Sequence, residues 1–259
     1  MTIYIYGDSF GADLQGWPSH LEKLRVEKVK SECICGTGPN MALRFLIKDL
    51  ENDKMKTNDS IILLLSDAKR LEFPFLIKNG DTDGAFRLAN DTNWDHPIGQ
   101  EKTEYLKKFS DKINTIAKTL GPMFLYETVK NVTFLHLLSL QFKELNFLVF
   151  TCFSLDNYIL TYKHFNVKSK KLLDKLKFDD LNTDNFTFFR IPLSHIVGNT
   201  NENEIDLNNH MSKKQNLKFA NMVDDLLNHR EIDTSWFADE VYDNLIDNMM
   251  PREPMFIYD

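Results

Sequence analysis

A chain of 259 residues, 42% hydrophobic and with 20 Phe, is long enough for one large α/β domain or two small ones with a sizeable core. Its net charge of −7 argues against non-specific nucleic-acid binding, which requires a basic face, and reads as simple solubility. No run approaches the ~20 apolar residues of a bilayer span, and Met1-Thr2-Ile3-Tyr4 lacks the basic start of a signal peptide, so a cytoplasmic protein without membrane partners is expected.

In chain order, residues 3–6 form a short apolar strand with little alternation, as when both faces are covered. Residues 14–24 carry Leu14, Trp17, Leu21 and Leu24 at helical spacing. Residues 26–35 alternate as a second, partly exposed strand, and Gly36-Thr37-Gly38-Pro39-Asn40 is a turn before a helix over 41–50. Ile61-Ile62-Leu63-Leu64-Leu65 has the continuous apolar character of a buried parallel strand. Residues 67–98, with Pro74, Gly80, Gly84 and Pro97, show little periodicity and read as a long loop or lid insertion. Two helices are expected over 100–141, broken at Gly121-Pro122, then strands at 147–152 and 186–191 around a Lys-rich amphipathic helix at 163–180. Ser212-Lys213-Lys214-Gln215 has the capping-box pattern, ahead of a helix whose core face is expected to hold Leu217, Ala220, Val223, Leu226 and Leu227.

This alternation predicts an α/β domain over 1–230, a parallel sheet with helices on both faces. Residues 231–259 form a C-terminal extension, in which Trp236, Phe237, Val241, Tyr242, Leu245, Ile246 and Met249 make an amphipathic stripe. Packing back on the domain is the plain reading of that stripe. The alternative is docking through 234–259 on another copy or on a neighbour in a virus particle. Cys33, Cys35 and Cys152 read as buried reduced thiols.

Sites in such sheets lie beyond the carboxyl ends of the strands, where Ser9, Gly36, Ser66 and the loop before Ser212 all fall. Ser9 sits between a strand and a helix, a turn that exposes its Oγ and favours negative charge nearby. Asp8 can pin that turn through short hydrogen bonds to backbone, and Gly7 relieves it. On these four residues alone, a helix cap formed by Asp8 or Ser9 is as consistent as a nucleophile. Downstream, Asp206-Leu207-Asn208-Asn209-His210 precedes the last long helix and offers an acid and a base. No histidine pair has zinc-site spacing and no phosphate-cradling Gly-rich loop occurs, so no metal and no cofactor is expected.

Gly7-Asp8-Ser9-Phe10 after strand one resembles the first block of the SGNH, or GDSL-type, hydrolases, and the order of elements over 1–228 is similar. That resemblance implies a flavodoxin-like three-layer α/β/α fold and an esterase or acyl hydrolase, such as a carbohydrate O-deacetylase. It implies Ser9 as nucleophile, His210 as base and Gly36 (or Gly38) as an oxyanion N–H. Leu64-Leu65-Ser66-Asp67 stands where the family has Gly-x-Asn-Asp, so Ser66 replaces the oxyanion-binding Asn and can donate one hydrogen bond. Ser66 through Phe73 is similar to a divergent SGNH-like group of viral and environmental sequences; Arg70 would add positive charge near the site, and a surface ion pair with Glu72 or Asp67 is its plainer reading. Asp206 is four residues before His210 where the family has three, so a one-residue bulge is needed; Asn208 and Glu204 are weaker candidates. The departures at Ser66 and Asp206 leave a second expectation open: a non-catalytic module of the same fold that binds glycan or protein.

Overall fold

A computed structural model of the chain describes residues 1–12, 16–34, 38–66, 72–75, 84–87, 121–152, 181–189, 193 and 211–233. The strands β1 (Thr2–Gly7), β2 (Lys28–Cys33), β3 (Ser60–Leu65), β6 (Asn146–Thr151) and β7 (Phe186–Phe189) form one sheet in the order β2-β1-β3-β6-β7. Every pairing in it is parallel. Helices α2 (Trp17–Leu24) and α5 (Lys213–Leu227) contribute to the apolar cluster on one face, and α3 (Pro39–Glu51) and α4 (Gly121–Gln141) to that on the other. The result is a three-layer, flavodoxin-like α/β fold.

The strand composition explains this arrangement. All six residues of β3 are buried, because both of its faces are covered by helices. Ile62 and Leu64 face the α2–α5 layer, and Ile61, Leu63 and Leu65 face the α3–α4 layer, as the period of two requires. Tyr6, Trp17, Phe150, Phe186 and Phe219 are among the largest fully buried side chains, each worth roughly 1.5–3 kcal/mol of transfer free energy. By contrast β2, at the sheet edge, is exposed or half-buried throughout, and its Lys28 and Lys30 suit an edge.

Three expectations change. The predicted helix over 14–24 starts only at Trp17, and Ser9–Ala12 forms a separate one-turn helix, α1. The extended backbone at Gly16 and the proline in the first turn of α2 set the break. Second, 72–75 and 84–87 are strands, β4 (Glu72–Phe75) and β5 (Gly84–Arg87), paired antiparallel with Pro74 opposite Ala85. Four-residue strands are too short for a periodicity to register, and a two-stranded ribbon tolerates proline where a central strand does not. Third, Leu217 is 46% exposed, while Asn216, Phe219 and Met222 join Ala220 and Val223 on the buried face of α5. The expected helix at 163–180, the first half of 100–141 and the stripe at 234–259 lie outside the described residues. Among the described residues, no helix is long and apolar enough to cross a membrane.

Candidate functional site

At the carboxyl edge of the sheet, β1, β3 and β6 end side by side at Gly7, Leu65 and Thr151. The next residue of each strand points into one cluster: Asp8, Ser66 and Cys152 are all buried and meet around the Asp8 carboxylate. Ser66 Oγ donates to Asp8 Oδ2 at 2.7 Å, and Cys152 Sγ lies 3.5 Å from Oδ1. Oδ1 also accepts from the backbone N–H of Phe10 at 3.1 Å, and the Asp8 carbonyl accepts from Gly11 N–H at 3.1 Å. Asp8 therefore pins the turn that carries Ser9, through the short side-chain to backbone bond that its residue type favours.

The turn is also packed against the sheet too closely for side chains at two positions. A Cβ on Gly7 would stand 2.5 Å from Leu64 Cβ, and one on Gly11 would stand 2.5 Å from Cys33 Sγ and 2.9 Å from Leu64 Cδ1. Ser31 Oγ donates to the Gly11 carbonyl at 2.8 Å, and Ile34 N–H to the Gly7 carbonyl at 3.1 Å. Ser9, the first residue of α1, thus opens a turn fixed from β2, β3 and β6. Because α1 has only four residues, its dipole supplies little of the favourable potential expected for a helix start.

A second set of bonds runs from this turn to the start of α5. Trp17 Nε1 donates to the Phe10 carbonyl at 2.7 Å, and Trp17 N–H donates to Asn216 Oδ1 at 2.8 Å. Asn216 Nδ2 then donates to the carbonyls of Met211 (2.8 Å) and Ser212 (3.1 Å). The expected capping box is present: Gln215 N–H donates to Ser212 Oγ at 3.2 Å, and Ser212 N–H donates to Gln215 Oε1 at 2.8 Å. Met211 is 5% exposed and belongs to the same apolar layer as Phe10.

Of the residues singled out from the sequence, the structure brings Asp8 and Ser66 into direct contact, and Ser9 follows Asp8 as the first residue of α1. Gly36, Arg70, Asp206 and His210 lie outside the described residues, as do Glu204 and Asn208. Gly38 is the N-cap of α3, with extended backbone. The expected role of Ser66 as an oxyanion donor meets a geometric constraint, since its single hydroxyl proton is given to Asp8. Cys152, Trp17 and Asn216 escaped sequence reasoning as site residues; only the burial expected of Cys152 and the helical register of Trp17 were signals. Among the described residues no group of three or more His, Cys, Asp and Glu is placed to hold a metal ion. Comparison with models of known protein families and with curated proteins finds no match to this chain.

Proposed function

We propose that the chain is an ester hydrolase of the SGNH type, with Ser9 as nucleophile, His210 as general base and Asp206 as the acid behind the imidazole. The observation that carries this reading is the buried bond sequence from Phe10, one residue after Ser9, through Trp17 and Asn216 to Met211, one residue after His210. Segments 199 residues apart are thereby held together, which supports drawing a triad from the two. In the reaction, Ser9 Oγ attacks the acyl carbon as His210 takes its proton, and the imidazolium protonates the departing alcohol. Water, deprotonated by His210, then attacks the acyl-enzyme; the acyl–Oγ bond breaks, Ser9 Oγ takes the proton back from the imidazolium, and the acid leaves. Oxyanion charge falls to the backbone N–H groups of Ser9 and Gly36, while Ser66 acts through Asp8. Arg70 adds positive charge. The substrate class, an O-acylated carbohydrate, follows from the family resemblance alone.

Ser9→Ala is expected to abolish hydrolysis of p-nitrophenyl acetate and labelling by a fluorophosphonate while leaving the melting temperature unchanged. Retained turnover in that variant would overturn the assignment. The Ser66–Asp8 bond favours one alternative, a glycan- or protein-binding module of the same fold, because it removes the side-chain donor whose loss typically costs ~10²–10³ in kcat. Native protein that takes no fluorophosphonate label would support that alternative. Docking through 234–259 on a second copy or a virion neighbour is tested by gel filtration of a chain ending at Arg230.

A further inference from the structure

We infer that Trp17 and Asn216 form a strut that sets the base relative to the nucleophile, making both positioning residues for acyl transfer; this rests on reading Ser9 and His210 as that pair. The helix α2 begins at a glycine, Gly16, which has no side chain to cap it. Its first N–H, on Trp17, is instead satisfied by Asn216 from α5, far away in sequence. Asn216 spends its other end on Met211 and Ser212, the residues that lead into α5. Trp17 spends its indole N–H on Phe10. Each bond meets a buried backbone group that would be costly to leave unpaired, and the Trp17 ring is met edge-on by Phe219 at 5.0 Å.

A cap that served α2 alone would need only one of these contacts. Here both ends of the bond sequence stop one residue beyond a proposed catalytic side chain. A helix cap drawn from another helix also fixes the separation of the two segments, which a local cap cannot do. General-base catalysis needs the imidazole within about 2.6–3.2 Å of the hydroxyl, and displacement by about 1 Å costs about 10²-fold. The strut supplies that constraint without touching substrate.

Two variants of the full chain separate the ends. Trp17→Phe removes the indole donor but keeps an aromatic ring against Phe219. Asn216→Asp keeps the acceptor for Trp17 N–H but sets an oxygen against the Met211 carbonyl. The fluorophosphonate labelling rate, and kcat and KM for p-nitrophenyl acetate, are measured beside the melting temperature. Each variant is expected to lose at least about tenfold in kcat and labelling rate with KM little changed. The double variant is expected to fall no further than the worse single one, as members of one unit do. Wild-type kcat in the variants, or losses that multiply in the double variant, would overturn the strut while leaving the hydrolase reading intact. Wild-type protein that neither hydrolyses nor labels would overturn both. Should Asn216→Asp fail to fold, Trp17→Phe alone decides the matter by the same readouts.

Discussion

Replacing Ser66 by alanine isolates the bond that holds the Asp8 turn from β3. The hydroxyl donates to Asp8 Oδ2 at 2.7 Å, with Asp8 fully buried and Ser66 only 6% exposed. A hydrogen bond to a charged group is worth about 1.5–3 kcal/mol, against about 1 kcal/mol for a neutral pair. The gap left by one oxygen is small, so the cavity contribution is minor. The expected loss is therefore about 1.5–3 kcal/mol, or roughly 3–12 °C in melting temperature at ~2–4 °C per kcal/mol for a domain of this size. Urea unfolding with an unchanged m-value is the assay, and Ser31→Ala is the control. Ser31 also donates to the turn, to the Gly11 carbonyl at 2.8 Å, but it is exposed and its partner is neutral. The control is expected to lose no more than about 1 kcal/mol. Equal losses in the two variants, or a Ser66→Ala loss under about 0.5 kcal/mol, would refute the view that the carboxylate contact fixes the turn.

Four further outcomes are expected. Gly7→Ala should cost about 1–3 kcal/mol or more in urea unfolding, because the new methyl meets Leu64 Cβ at 2.5 Å and the Leu64 carbonyl at 3.0 Å, neither of which can swing away; Gly11→Ala should be partly relieved by Cys33→Ala, since the thiol is its nearest obstacle. Ser212→Ala removes one half of the capping box and should cost about 1 kcal/mol in thermal unfolding; a value near zero would mean that Gln215 alone holds the start of α5. Arg25 grips Glu27 through both carboxylate oxygens, at 2.9 and 3.1 Å, and holds its carboxyl below the ordinary value of 4.5. A depressed carboxyl contributes stability above the unfolded value that is lost as pH falls through the folded one. Glu27→Gln should therefore flatten the decline in urea midpoint below pH 4.5, and superimposable acid limbs would refute the link.

How much of this was legible depends on which forces acted locally. The unbroken apolar run Ile61–Leu65 of β3 implied a strand covered on both faces, because it lacks the alternation of a half-exposed strand and is too short for a buried helix. The Ser212–Gln215 box was legible because both of its bonds close within four residues. Asp8 as the pin of the turn was legible for the same reason, its acceptor contact with Phe10 N–H being two residues long. Its other partners were not: Ser66 and Cys152 are 58 and 144 residues away, brought in only by the order of the strands. The buried face of α5 was misjudged at Leu217 because helical spacing fixes a stripe but not its rotation. Trp17, which meets Phe219 edge-on and holds Asn216 from α2, decides the rotation.

The same strand order has a consequence for chemistry. In a 2-1-3 sheet the residue after β1 is flanked by the ends of two neighbours, so whatever follows β3 meets Asp8 rather than solvent. Serine is short enough for its hydroxyl to end on the carboxylate; an amide side chain at that place would extend further and carry two donors. The residue type at 66 thus selects between holding the turn and reaching a reacting carbonyl. In this chain it holds the turn, together with Cys152 from β6. Under the proposed reaction, stabilisation of the oxyanion then rests on backbone N–H groups. Their placement depends on the rigidity that Asp8, Gly7 and Gly11 impose, since misplaced donors lose most of their effect. Activity in this protein would therefore be unusually sensitive to substitutions that loosen the turn without contacting substrate.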